Sequence, residues 1–571
     1  MYTARVSKTD PHAFPSLRAV LRDARYANTD LYLHVEPGHY TEPYALEIST
    51  RVMVVPVGGP GTVEISASAA DSVFVVKGDR AALELYGVHV RGRQDAPGCP
   101  TILAEEGTRF KAVDSVFTSG AEIEVKGDGT EVVNCRFDGC GLFWKRGTGG
   151  FVRDAVFRGA SLLFWRAVNP TVSSVRFSDY DRSAVIAAES SVTVTDCVMT
   201  ATGPPDGASV FVKEGADVRF TDLSISDSPG AAVYATGEGT RIALDRLNLT
   251  GWKHTKVGVG VGPGAEICLT SSRIDAEGAA SAVMSVKKGS ATVRDVIVEN
   301  TGKEGFLVMD GRLTGRGLVF RRLAKPGITA ARSRIELSDV EFAGGLPDSE
   351  TPASGFYLSD CRLEADGVRA SDLNGTVLMT TTGGRATLTS VSTERVKYVV
   401  MAGEDSTVAV RGAQVGENWG TAFLAGENST VTVHDARITE NRGSAFSARK
   451  GGSLTAVDAL VSGSEREACW ADGGSLTLTS VTVSGATGPG AVAGQGGELT
   501  LEDTVIRDGN EAGVRVLDAE SRAALLRSRI TGNALAGVRA HPEAAVERQD
   551  TVLLDNGGED RESVREERAE K

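Results

Sequence analysis

The sequence predicts an all-β solenoid built from one short coil repeated about 20 times, and three observations carry that expectation. One phrase recurs: apolar-x-apolar-x-Asp/Ser, two residues, then another apolar one. It reads FKAVDSVF ending at Phe117, VTVTDCVM ending at Met199 and LTLEDTVI ending at Ile506. Its fifth position falls at 114, 134, 154, 174, 196, 222, 246, 271, 295, 317, 339, 367, 390, 412, 435, 458, 480, 503, 527 and 550, a period of about 23 residues. That is too short for two packed helices. The interior is Val, Ile, Thr and Leu in alternation, the period of a strand. A second phrase precedes each anchor, as in SAVIAAE (183–189), GFLVMDG (305–311) and TAFLAGE (421–427), so each coil carries two strand phrases and turns rich in Gly and Asn.

The elements follow in order. PSLRAVLRDAR (15–25) has the spacing of a short amphipathic helix, and LYLHVEPGHYTEP (31–43) opens as a strand. Residues 1–50 read as an N-terminal cap that shields the first coil, residues 51–556 as the solenoid, and 557–571, almost wholly charged, as a tail. Stacking like residues at about 4.8 Å would make a rod on the order of 100 Å long.

These phrases, with the helix and the V-x-P-G-x-Y-x-E strand, resemble the right-handed parallel β-helix family of pectin-lyase-like proteins, which includes pectate lyases, pectin methylesterases and many members without known activity. The resemblance covers roughly 50–556 and implies a right-handed parallel β-helix with an N-terminal capping helix. It also implies a structural role for Asn418, Asn441, Asn510, Asn533 and Asn556, which match the family's turn Asn: left-handed backbone and hydrogen bonds to their stacked copies.

Composition narrows the function. With 61 basic and 75 acidic residues the formal net charge is −14, which argues against a nucleic-acid phosphate track and against adsorption to an anionic membrane. No apolar run suits a membrane span, and the start, MYTARVSKTDPHAF, lacks the apolar region of a secretory signal. The seven Cys are scattered, without a C-x-x-C, and fit a reducing cytoplasm. Cys135 and Cys197 share one repeat column and read as core fillers. The seven His, at 12, 34, 39, 89, 254, 434 and 541, show no metal-ligand spacing, so no metal or cofactor is expected and all seven read as structural or surface residues.

A β-helix enzyme needs charged groups on outward positions of neighbouring coils. Along the strand before each anchor the outward column reads instead as an apolar and aromatic stripe: Phe211, Tyr234, Met284, Leu307, Tyr357, Leu378, Val400, Leu424 and Trp470. The polygalacturonase G-H-G and R-I-K and the pectin methylesterase F-I-F-G and L-G-R-P-W are absent. Lys287, Asp310, Arg332 and Asp360 alternate in sign on four coils, either a surface ion ladder or an acid–base pair. Glu189 and Glu214 stack, either screened by water or around a cation. Loops at 203–208, 251–257, 321–327, 344–354 and 418–420 are expected to wall the stripe into a groove. The reading that follows is a non-catalytic cytoplasmic scaffold, by analogy with bacterial β-helix modules that work with other domains. Its binding residues would be Phe211, Tyr234, Met284, Leu307, Tyr357, Leu378, Leu424 and Trp470, taking a protein partner, or its open C-terminal end would do so. The rivals are a carbohydrate-binding or polysaccharide-active protein and a self-assembling rod.

Overall fold

The computed structural model describes the chain except residues 70–71, 94–98, 181–182, 201–206, 229, 253–256, 346–351, 559–563 and 566–571. It is a parallel β-solenoid of about 22 turns. The chain forms two compact units: residues 1–284 with 289–291, and residues 285–288 with 292–571.

The described coils run over three faces, and most of the corners between them hold a residue in left-handed backbone. In the second unit, Ile328–Ala331 forms the first face. Arg332 (φ 48°) makes a corner, and the strand Arg334–Gly345 supplies the other two faces, bent at Asp339 (φ 52°) and again at Gly344 (φ 65°). The recurring Asp/Ser anchor is therefore a corner residue. All twenty anchors have positive φ, among them Asp114 (52°), Asp196 (50°), Ser390 (53°) and Asp503 (49°). A β-branched side chain is strained there, whereas Asp, Asn and Gly tolerate it, and that selects the anchor's composition. The residue after the anchor turns inward, and Cys135 and Cys197 occupy that buried column as expected.

In the first unit the strands pair coil to coil from the N-terminus, with a register shift between Val168 and Thr171. Tyr2–Val6 pairs in parallel with Leu31–Val35, which pairs with Arg51–Pro56. The stacked sheets thus begin inside the stretch expected as a separate cap, ahead of residue 50. The helix is shorter than the 15–25 of the sequence reading. Ser16 accepts a hydrogen bond from Ala19 N (3.1 Å), starting a helix over Leu17–Leu21, and a 3-10 turn at Ala24–Tyr26 follows. Leu17 and Val20 are fully buried. The core of this unit includes a column of stacked rings, Phe117, Phe137, Phe157 and Phe177, with successive centroids 5.0, 4.3 and 4.9 Å apart. The rings stack because the repeat returns the same residue one strand spacing further along.

The second unit carries the same plan to Val552–Leu554, and Val564–Arg565 adds a two-residue strand beside Ala545–Gln549. Asn418, Asn441 and Asn533 are buried one residue beyond a left-handed corner, so they do not themselves adopt that backbone. Asn533 Nδ2 donates to Asn556 Oδ1 (3.0 Å), the stacked bonding expected of the set, whereas Asn441 Nδ2 donates to Gly443 O and the Asn418 side chain makes no hydrogen bond among the described residues. Asn510 is exposed.

Candidate functional site

The outward column of the first face can be read from the strand register. In the first unit it runs Ile186, Phe211, Tyr234, Gly260. In the second it runs Leu307, Thr329, Tyr357, Met379, Met401, Leu424, Ser447, Trp470, Val492. Phe211, Tyr234, Leu307, Tyr357 and Trp470 therefore point outward as expected. Met284 and Leu378 do not: both are fully buried, as is Val400. The coils differ in length, and a one-residue slip in alignment moves a side chain to the opposite face of a strand. Ser285 and Met379 hold the outward positions instead. Leu424 has the expected direction but is only 7% exposed. The stripe is thus broken by Gly260, Thr329 and Ser447. Its rings are partly covered, with Tyr357 36% exposed and the Arg449 guanidinium 6.0 Å from the Trp470 ring. The expected loop residues 203–206, 253–256 and 346–351 lie outside the described residues.

The charged candidates resolve as surface pairs. Arg332 donates to both Asp310 oxygens, at 2.7 and 3.0 Å, and this hydrogen-bonded pairing lowers the Asp310 pKa. The corner column holds Lys288, one residue past the expected Lys287. Glu189 accepts from Arg166 (2.7 Å) and Trp165 (3.3 Å), while Glu214 accepts from Lys213 (2.6 Å), so the two serve separate partners. Among the described residues no group of three His, Cys, Asp or Glu is placed to hold a metal ion.

A built groove lies on another face. The strands Ser290–Thr301, Arg312–Leu323, Arg334–Gly345, Arg362–Ser371 and Arg385–Glu394 present the second face of five consecutive coils. Their alternate residues face outward in three columns. Arg312, Arg334, Arg362 and Arg385 align; Thr314, Glu336, Glu364 and Thr387 align beside them; then come Arg316, Ser338, Asp366 and Thr389. Between these rows runs an open trough of about 1170 Å³, lined by Thr292, Arg294, Arg316, Glu336, Glu364 and Asp366 among others. Short hydroxyl side chains between long charged ones make it concave.

Its electrostatics are those of a pre-set hydrogen-bonding surface. Glu336 accepts from Arg312 (3.3 Å) and pairs with Arg334 (2.5 Å). Desolvation pushes its pKa up, but the two guanidinium groups prevail and hold it below the usual value. Glu364 accepts from Arg362 Nη2 at 2.6 Å. Asp366 accepts from the Thr389 hydroxyl at 2.5 Å, and this bond, with the Ser390 hydroxyl and Gly367 N–H, also lowers its pKa. Glu336 and Asp366 are therefore ionised acceptors at neutral pH, the opposite of the raised pKa a glycosidase proton donor needs. The trough is equipped to bind.

Scanning only the first face in the sequence missed this site. Its carboxylates stand inside the anchored phrase itself, RIELSD (334–339) and RLEADG (362–367), where the third position is Glu on two successive coils. Reading the alternate positions of that phrase would have found it.

No protein-family model matches the sequence, and no curated protein matches it. Solved structures do resemble it. Tailspike protein 3 of bacteriophage CBA120 matches at TM-score 0.33 and 10% identity over 70% of this chain, which spans 59% of that one. A PL6 family alginate lyase matches at TM-score 0.25 and 8% identity, over 97% of this chain and 99% of that one. A GH87 α-1,3-glucanase from Streptomyces thermodiastaticus strain HF3-3 matches at TM-score 0.26 and 13% identity, over 70% of this chain and 67% of that one.

Proposed function

We propose that the protein binds carbohydrate, holding an extended, uncharged polysaccharide in the trough of the second face. The observation that carries this reading is the trough itself: a concave, hydroxyl- and ion-pair-lined surface repeated across five coils. Parallel strands present one polar group about every 4.8 Å, a spacing close to the length of a sugar ring, so a regular polymer meets the same chemistry at each step. Each Arg–carboxylate pair offers donors beside acceptors, which suits neighbouring sugar hydroxyls. Four carboxylates in the lining (Asp295, Glu336, Glu364 and Asp366) against two guanidinium groups (Arg294 and Arg316), and a chain charge of −14, disfavour a polyuronate.

Affinity electrophoresis through gels containing neutral glucans and mannans, with alginate and pectate as comparisons, tests the proposal. Retardation by a neutral glycan, abolished in Glu364→Gln/Asp366→Asn and kept in Tyr357→Ala/Trp470→Ala, supports it. Retardation lost only in the aromatic variant moves the site to the first face.

A second reading, a cytoplasmic scaffold with a protein partner on the stripe, draws support from one observation. Phe143, Leu163, Ile186, Phe211 and Tyr234 stack outward on five consecutive coils, with the last two rings 5.9 Å apart.

A further inference from the structure

On the third face of the first unit, four coils bring together residues that the sequence keeps far apart. His39, Glu64 and His89 are register partners on successive strands, and Ser66, Arg91 and Thr118 form the next outward column. His89 Nε2 lies 2.6 Å from the Thr118 hydroxyl, and its Nδ1 lies 3.3 Å from Glu64 Oε2. The same Glu64 oxygen is 3.4 Å from His39 Nδ1, and Arg91 Nη1 is 3.7 Å from the other Glu64 oxygen. The imidazole is neither sealed nor loose: the His89 side chain is 26% exposed and that of Glu64 19%.

We propose that Glu64, His89 and Thr118 form a carboxylate–imidazole–hydroxyl relay that hydrolyses small acyl esters. The arrangement has the parts such chemistry needs: a hydroxyl within hydrogen-bond reach of a base, and a carboxylate on the base's other nitrogen that fixes its tautomer. Arg91, directly beside Thr118 in the ladder, supplies a cation for the developing oxyanion. The Thr118 oxygen forms a bond to the ester carbonyl carbon as its proton passes to His89 Nε2. Collapse of the tetrahedral adduct breaks the carbon–oxygen bond to the leaving alcohol, which takes that proton. Water then attacks the acyl-threonine in the same way, releasing the carboxylic acid and restoring the hydroxyl. The proposal is independent of the trough, which lies in the other unit.

Burial lowers the His89 pKa below the ordinary imidazole value, with His39, Glu64, Arg91 and Asp138 as the charged and titratable groups around it. The base is therefore neutral at pH 7, and the rate should rise with pH to a plateau whose midpoint lies below that of free imidazole.

The test uses the full-length protein with p-nitrophenyl acetate and a fluorophosphonate probe. The relay predicts one phosphonyl adduct per chain, mapped to Thr118 by peptide mass spectrometry. It also predicts hydrolysis that falls about 100-fold or more in Thr118→Val and His89→Gln, survives in Thr118→Ser, and is unchanged in His39→Gln. Circular dichroism melting confirms that each variant is folded. Hydrolysis that persists in Thr118→Val, a loss in His39→Gln equal to that in His89→Gln, or the absence of label on Thr118 overturns the proposal in favour of background imidazole chemistry.

Discussion

At the scale of the residue, the corner position governs the sequence. Asp458 sits at φ 53°, so Asp458→Val forces a β-branched side chain into left-handed backbone, at a cost of about 1–3 kcal/mol, while Asp458→Gly relieves it. The expected ranking of denaturation midpoints is Gly at or above wild type, with Val well below. The thiols make a second residue-scale test. Burial pushes Cys135 and Cys140 up to about 12, and Cys197 and Cys469 are raised by the same cause, whereas Cys99 is exposed. Thiolate is the reactive form. Ellman's reagent at pH 7.5 should therefore titrate Cys99 rapidly and these four only on unfolding. Fast reaction of four or more thiols in the native protein would contradict the burial.

At the scale of the element, one residue of register separates core from surface. Tyr357 and Trp470 stand on the outward column, so Tyr357→Ala and Trp470→Ala should move the melting midpoint little. Met284→Ala and Leu378→Ala remove fully buried side chains and should each cost about 2–5 kcal/mol. Thermal melts of the four variants side by side decide it. The contrast also shows what alignment by phrase can and cannot reach. The anchored strands were legible because their left-handed corner restricts residue type and fixes the register. The first-face strands have no such marker at their start. Two variable corners flank them, and their apolar neighbours Leu378 and Met379, or Val400 and Met401, are chemically interchangeable. Direction there is settled by three-dimensional pairing alone.

At the scale of the whole molecule, repetition makes the fold legible and hides the sites. In a solenoid one period is contact distance: His39, Glu64 and His89 are 25 residues apart in sequence and adjacent in space. A search for short metal or triad spacings passes over them, as it passes over Glu336 and Glu364. The same geometry sets the response to acid. Asp222, Asp310, Asp372 and Asp503 each accept side-chain hydrogen bonds from an arginine on the next coil, Arg246, Arg332, Arg395 and Arg527, and those bonds lower their pKa values. A carboxyl whose folded pKa lies below its unfolded value stabilises the fold above the unfolded value, about 3.9 for aspartate, and loses that contribution as pH falls through the folded one. These pairs are solvent-exposed, so each contributes little and salt weakens it. The expectation is a difference in profile. The melting-temperature advantage of wild type over a variant with all four arginines changed to Gln should be constant between about pH 7 and 5, and should shrink below about pH 4. High salt should reduce it at every pH. An advantage unchanged from pH 7 to 3 would mean that the arginines stabilise the corners by packing their stems along the coil, and that the ladder's charge contributes nothing to its stability.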